Sequence, residues 1–80
     1  MGKYTPFEMY LKSIQKDQLV LSFKEIEQIL NSTLPDSAYE YRQWWENDSY
    51  HSQSKAWKNA SWKVDEVDFT KELIRFRRQL

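Results

Sequence analysis

Apolar positions change their spacing repeatedly along the chain, and each change predicts an element. Phe7, Tyr10, Leu11 and Ile14 recur at i, i+3, i+4 and i+7, one apolar helix face over Tyr4 to Ile14. Thr5-Pro6-x-Glu8 reads as its start: a capping hydroxyl, a proline at the first helical position and an early acid. Leu19-Val20-Leu21 is a short apolar run that predicts a strand. Ser22-x-x-Glu25, ahead of Phe23, Ile26, Ile29 and Leu30, is a capping box that opens a second helix. Asn31-Ser32-Thr33-Leu34-Pro35 breaks that helix, and Asp36 or Ser37 caps another through Trp45. Asn47-Asp48-Ser49 is turn chemistry, and Ser52 caps a short helix to Ala60. Trp62 to Phe69 and Leu73 to Arg78 read as strands around Thr70-Lys71-Glu72, with Val67 and Phe69 sharing a face with Ile74 and Phe76. A two-stranded hairpin is too short to be stable alone, so strand 19–21 is expected to pair with it.

The succession predicts an α+β class: helix, strand, helix, one or two helices, terminal β-hairpin. That is the element order of a small winged-helix-like domain, in which the last helix before the hairpin reads DNA. About twenty residues separate the capped second helix from the candidate recognition helix, far more than the usual short turn. The alternative is an α+β domain whose small sheet carries helices on one face.

Length and composition narrow the setting. Eighty residues make a single domain, 1–80, and a chain of this size buries only roughly 60% of its unfolded surface. With no cysteine, disulfides, thiolate zinc sites and cysteine nucleophiles are excluded. Packing must come from rings: aromatics are 16% of the chain, with four Trp, five Tyr and four Phe. No apolar run approaches a membrane span and no basic-then-apolar leader opens the chain, so a cytoplasmic protein without membrane association is expected. Twelve bases balance twelve acids, which argues against a non-specific polyanion binder. The balance is uneven along the chain. Residues 1–16 carry Lys3, Lys12 and Lys16 against Glu8; residues 24–50 carry Lys24 and Arg42 against Glu25, Glu27, Asp36, Glu40, Glu46 and Asp48. An acidic middle is thus flanked by more basic ends, the second finishing Arg75-Phe76-Arg77-Arg78.

A set of spaced motifs carries a resemblance. Leu21-Ser22-Phe23-x-Glu25-Ile26-Glu27-x-Ile29-Leu30 leads into Leu34-Pro35-x-Ser37-Ala38, then Trp44-Trp45-x-Asn47-Asp48 and Ser52-Gln53-x-x-Ala56-Trp57. Ala60-x-Trp62-x-Val64-x-x-Val67-Asp68 and Phe76-Arg77-Arg78 complete it. Together they resemble a small, poorly characterised domain of bacteria, phages and mobile elements, found alone or fused to nuclease or restriction-type domains. The resemblance covers roughly residues 10–78. It implies a setting of DNA handling or host–phage conflict and supplies no catalytic or binding residues. One position departs from it: Ala60-Ser61-Trp62 stands where Ala-Gly-Trp is expected, which puts any glycine-only backbone angle there in doubt.

Enzyme signatures are sparse. With Gly2 the sole glycine, no glycine-rich phosphate loop can form. His51 lies near Asp48 and Ser52, but sequence neighbours in a turn rarely make a catalytic triad. Asp65, Glu66 and Asp68 in a strand should point to alternating faces, a poor metal site. No catalytic residue, metal ligand or cofactor is assigned, and no enzyme is expected.

Two function classes remain. The first is a nucleic-acid-binding module of a phage, mobile-element or defence system. In it Ser52 and Gln53 open a helix that meets bases, Lys55 and Lys58 meet phosphates, and Arg75 and Arg77 assist from the hairpin. A balanced charge and a pI near 6.6 count against it. The second is an interaction protein, for instance a phage-type inhibitor docking on a bacterial defence protein of the restriction or CRISPR type. Its aromatic and acidic surface would include Trp45, Asn47 and Tyr50. The terminal strand also invites pairing with a second copy, a homodimer through an edge. Sequence reasoning leans to the first class.

Overall fold

The computed structural model describes residues 2–48 and 50–79. The first helix, α1, spans Thr5–Ser13 and strand β1 spans Gln18–Ser22. Helix α1 is capped one residue earlier than its sequence implied: Tyr4 is the N-cap, and the Thr5 hydroxyl accepts from the Gly2 amide at 3.1 Å. Helix α2, Phe23–Leu30, follows β1 without a loop because Ser22 ends one element and caps the next. Both halves of its capping box form, Glu25 N to Ser22 Oγ at 3.0 Å and Ser22 N to Glu25 Oε1 at 2.9 Å. Asn31 closes the helix in the left-handed conformation that asparagine tolerates.

The single helix expected from residue 36 to Trp45 is broken in two. Helix α3 covers Asp36–Glu40 with Pro35 at its N-cap, and a 3₁₀ turn covers Arg42–Trp45. Neither Asp36 nor Ser37 caps it. Tyr41 between them is extended, at φ −121° and ψ 125°. This break folds the chain back so that Trp45 Nε1 donates to Ala38 O at 2.8 Å, a bond that a straight helix would not allow. Helix α4 spans Ser52–Asn59, and the hairpin strands are β2, Trp62–Asp68, and β3, Leu73–Arg78.

The sheet has the order β1-β3-β2, antiparallel throughout. Strand β1 therefore pairs with the hairpin as expected, with Leu21 opposite Ile74 and Leu19 opposite Phe76. The terminal strand is the central one, so it offers no edge to a second copy; the edges are β1 and β2. A bulge lies between Val64 and Glu66. Without it, Trp62 and Val64 would share a face while Val67 and Phe69 took the other, since strand side chains alternate. The extra residue reverses the alternation, so Trp62 and Val64 are buried and Val67 and Phe69 also pack against the core.

One face of the sheet meets the helices. Phe7 and Leu11 from α1, Phe23 and Ile26 from α2, and Ala56 and Trp57 from α4 close over Leu21, Val64, Ile74 and Phe76. Trp45, Trp57 and Trp62 are among the largest fully buried side chains, which gives this short chain its core. The result is a small α+β domain with helices on one face of a three-stranded sheet.

Ser61 holds the turn between α4 and β2 at φ +67°, the angle whose glycine the sequence lacks. An L-residue there costs about 1–2 kcal/mol, partly offset by the greater unfolded freedom of glycine. Ser61→Gly is expected to stabilise the domain by about 0.5–1 kcal/mol and to raise Tm by roughly 2–8 °C. Thermal melts followed by circular dichroism check it; an unchanged or lower Tm would mean the turn is not strained.

Candidate functional site

The Trp44-Trp45-x-Asn47-Asp48 segment and α4 form one connected cluster. Asn47 pairs with the outer edge of β2 as another strand would. Its Nδ2 donates to Val64 O at 2.9 Å, and its Oδ1 accepts from Val64 N at 2.8 Å. The same Oδ1 accepts from Trp57 Nε1 at 3.1 Å, so both of its lone pairs are used. Lys58 Nζ donates to Asn47 O at 3.2 Å. Asn47 remains exposed, but its amide is engaged by strand and core.

The N-cap of α4 is His51, without a side-chain capping bond, so the capping role expected of Ser52 is corrected; Asp48 braces the turn just ahead of the helix. Its Oδ1 accepts from the amides of Tyr50 and His51 at 3.0 and 3.2 Å. The Ser54 hydroxyl lies 2.9 Å from both Asp48 Oδ1 and His51 O. His51 Nδ1 stands 3.0 Å from Asp48 Oδ2. Asp48 and His51 do meet, but the serine beside them binds the carboxylate rather than the far imidazole nitrogen. The group braces the turn that leads into α4. Ser49 lies outside the described residues.

These bonds, the one from the Tyr50 amide foremost, hold the Asp48 carboxyl well below the usual carboxylate range. A depressed folded pKa stabilises the fold fully above the ordinary value of 3.8, and that contribution is lost as pH falls below it. Thermal melts between about pH 2 and 7 should show stability declining below about pH 4. Asp48→Asn should start less stable at neutral pH and decline less steeply. Equal acid slopes would mean another carboxylate dominates.

The remaining candidate residues are dispersed. Trp45 is 0% exposed, so the docking role expected of it is corrected. Gln53 is 8% exposed and donates through Nε2 to Trp44 O at 3.2 Å, so it faces inward and not toward a base. Ser52 and Lys55 are exposed, and Tyr50 is 86% exposed. On the hairpin, Arg75 pairs with Glu66 at 3.1 Å and Arg77 with Asp65 at 3.4 Å. The bulge puts these two carboxylates on one face, against the alternation expected, and each meets an arginine. Arg78 turns the other way: it lies 4.2 Å from the Trp62 ring centre and donates to Ile14 O and Lys16 O. Among the described residues no three His, Asp or Glu side chains are grouped to hold a metal ion.

A groove of about 520 Å³ runs between the α3–3₁₀ break and the start of α4. Tyr41, Gln43, Trp44, Glu46, Asp48 and His51 help to line it. Tyr41 is 57% exposed and Trp44 half-buried. The Glu46 carboxylate is exposed and has neither a hydrogen bond nor an ion pair among the described residues. Periodicity could not reveal this groove, because it depends on the chain reversal at Tyr41.

The fold and cluster define a small α+β domain pinned by tryptophans and one asparagine. The chain belongs to the family described as Domain of unknown function (DUF7662), whose sequence profile matches residues 4–79. No curated protein and no solved structure matches the chain significantly. Among the described residues, no helix is long and apolar enough to cross a membrane.

Proposed function

We propose that this protein is a non-catalytic interaction module that docks on another protein through the groove between Tyr41 and α4. The carrying observation is the groove itself: exposed and half-exposed aromatic walls beside the Glu46 carboxylate, which has no partner among the described residues. Aromatic anchors in a concave site are typical of binding hot spots. Tyr50, close by in sequence and widely exposed, extends the surface. The resemblance to bacterial and phage domains supports a cytoplasmic setting, with a defence protein of the restriction or CRISPR type as the partner class.

A second reading, DNA binding by a winged-helix-like domain, is favoured by the β1-β3-β2 order and by α4 preceding the hairpin with Lys55 exposed. Against it stand the inward Gln53 and the pairing of Arg75 and Arg77 with acids.

A photo-crosslinking residue at Tyr41 should yield a discrete protein adduct in cells, while one at Val20 on the opposite sheet face should yield none. Fluorescence anisotropy with mixed duplex DNA at low salt should show binding no tighter than about 10⁻⁴ M. Tighter binding that weakens steeply with salt and with Lys55→Ala would replace this proposal with the DNA reading.

A further inference from the structure

The groove also carries information about what enters it. Tyr41 and Trp44 supply ring surface, and Glu46 supplies an exposed carboxylate with no partner among the described residues. Asp48 adds negative charge, although its oxygens are already engaged by Tyr50, His51 and Ser54. Arg42 lies on the same 3₁₀ turn but does not line the groove. His51 does line it, with Nδ1 turned to Asp48.

An apolar side chain entering this space would cover Glu46 without replacing its water, which is costly. An anion would be repelled. A lysine ammonium would satisfy the charge but stays strongly hydrated and gains less from the rings. A guanidinium does both things: its flat face stacks on an aromatic ring and its edge forks onto a carboxylate. The chain already makes half of this contact itself, where Arg78 lies 4.2 Å over the Trp62 ring. We propose that the groove receives an arginine side chain of the partner protein, stacked on Tyr41 and Trp44 and paired with Glu46. This rests on the interaction-module reading above and specifies the chemistry of its partner.

The test uses the full chain, labelled with nitrogen-15, and three capped tripeptides differing only in a central arginine, citrulline or leucine. Citrulline keeps the shape of arginine and removes its charge. The arginine peptide should shift the Trp44 indole and Glu46 amide resonances with a Kd of about 1 mM, a weak affinity suited to a single anchor. The citrulline peptide should bind about tenfold more weakly, and Glu46→Gln should weaken the arginine peptide by a similar factor. Glu46→Gln should leave the melting temperature unchanged, since Glu46 has no side-chain partner among the described residues. Tyr41→Ala, at an exposed position, should also weaken the arginine peptide.

Equal binding of arginine and citrulline, or no shift with the arginine peptide at about 10 mM, overturns this inference. If the leucine peptide alone moves the Trp44 indole, the groove docks a partner by another chemistry and only the arginine assignment falls. If no peptide binds and duplex DNA does, the interaction reading falls with it.

Discussion

Trp45→Ala is expected to cost about 3–5 kcal/mol, the range for removing a large buried ring. At roughly 0.05–0.15 kcal/mol per residue, an 80-residue domain has about 4–12 kcal/mol in all, so this loss is a large share of it. The ring lies between Phe23, 5.4 Å away at 22°, and Trp57, 5.9 Å away at 19°. Trp44 meets its edge at 4.6 Å. Truncation would therefore open a cavity with rigid aromatic walls that collapse poorly, and it would leave Ala38 O without its indole donor. Trp45→Phe separates the two effects. It retains a ring in the stack but loses the donor, for an expected cost of about 1–3 kcal/mol. Urea melts followed by far-UV circular dichroism decide both. A cost below about 1 kcal/mol for Trp45→Ala would show that the 3₁₀ turn is held to α2 by something other than this stack.

Asn47→Ala should be the next most damaging change, at about 2–4 kcal/mol. A hydrogen bond contributes about 0.5–1.5 kcal/mol net, and a buried partner left unmade costs more. Three such bonds end on this one amide: two from the Val64 backbone and one from Trp57 Nε1. Asn47→Asp keeps an acceptor for Val64 N and Trp57 but sets a second carboxylate oxygen against Val64 O, so it should rescue little. Asn47→Gln has the right chemistry on a stem one methylene too long. Hydrogen exchange at the Val64 amide reads the contact directly, and all three variants should speed it. If Asn47→Ala leaves that amide as protected as before, the clamp is not what seals the β2 edge.

These residues also mark where function and structure divide. Trp45 and Asn47 look like part of a binding motif when read as a string, because tryptophan and asparagine are common in recognition surfaces. In the fold they join the 3₁₀ turn, α4 and β2. The groove beside them is built from residues that no pattern singled out as a set: Tyr41, Trp44 and Glu46. A docking surface made by a chain reversal has no periodicity to detect.

Local chemistry was enough to place much of the rest. Ser22-x-x-Glu25 specified the start of α2 because both capping bonds close within four residues. The apolar face of α1, the hairpin around residues 70–72 and the pairing of β1 with it followed from spacing and from the instability of short strands alone. The reach of the sequence ended where distant atoms compete for a backbone. Trp45 finds its acceptor at Ala38 only by breaking a helix that propensity would continue. The β2 bulge exists because Trp62, Val64, Val67 and Phe69 all need the same core, which strict alternation forbids. Asp48, four residues ahead of α4, shapes the entry to it because the turn brings its carboxylate back to the amides of Tyr50 and His51, just before the helix. The sequence alone determined most helix and strand segments, the stretch from Asp36 to Trp45 excepted, because hydrogen bonds within a turn or capping box close locally. Tertiary structure decided which rings are buried, which polar groups are already satisfied and where the groove lies, because those outcomes depend on distant residues sharing one small core.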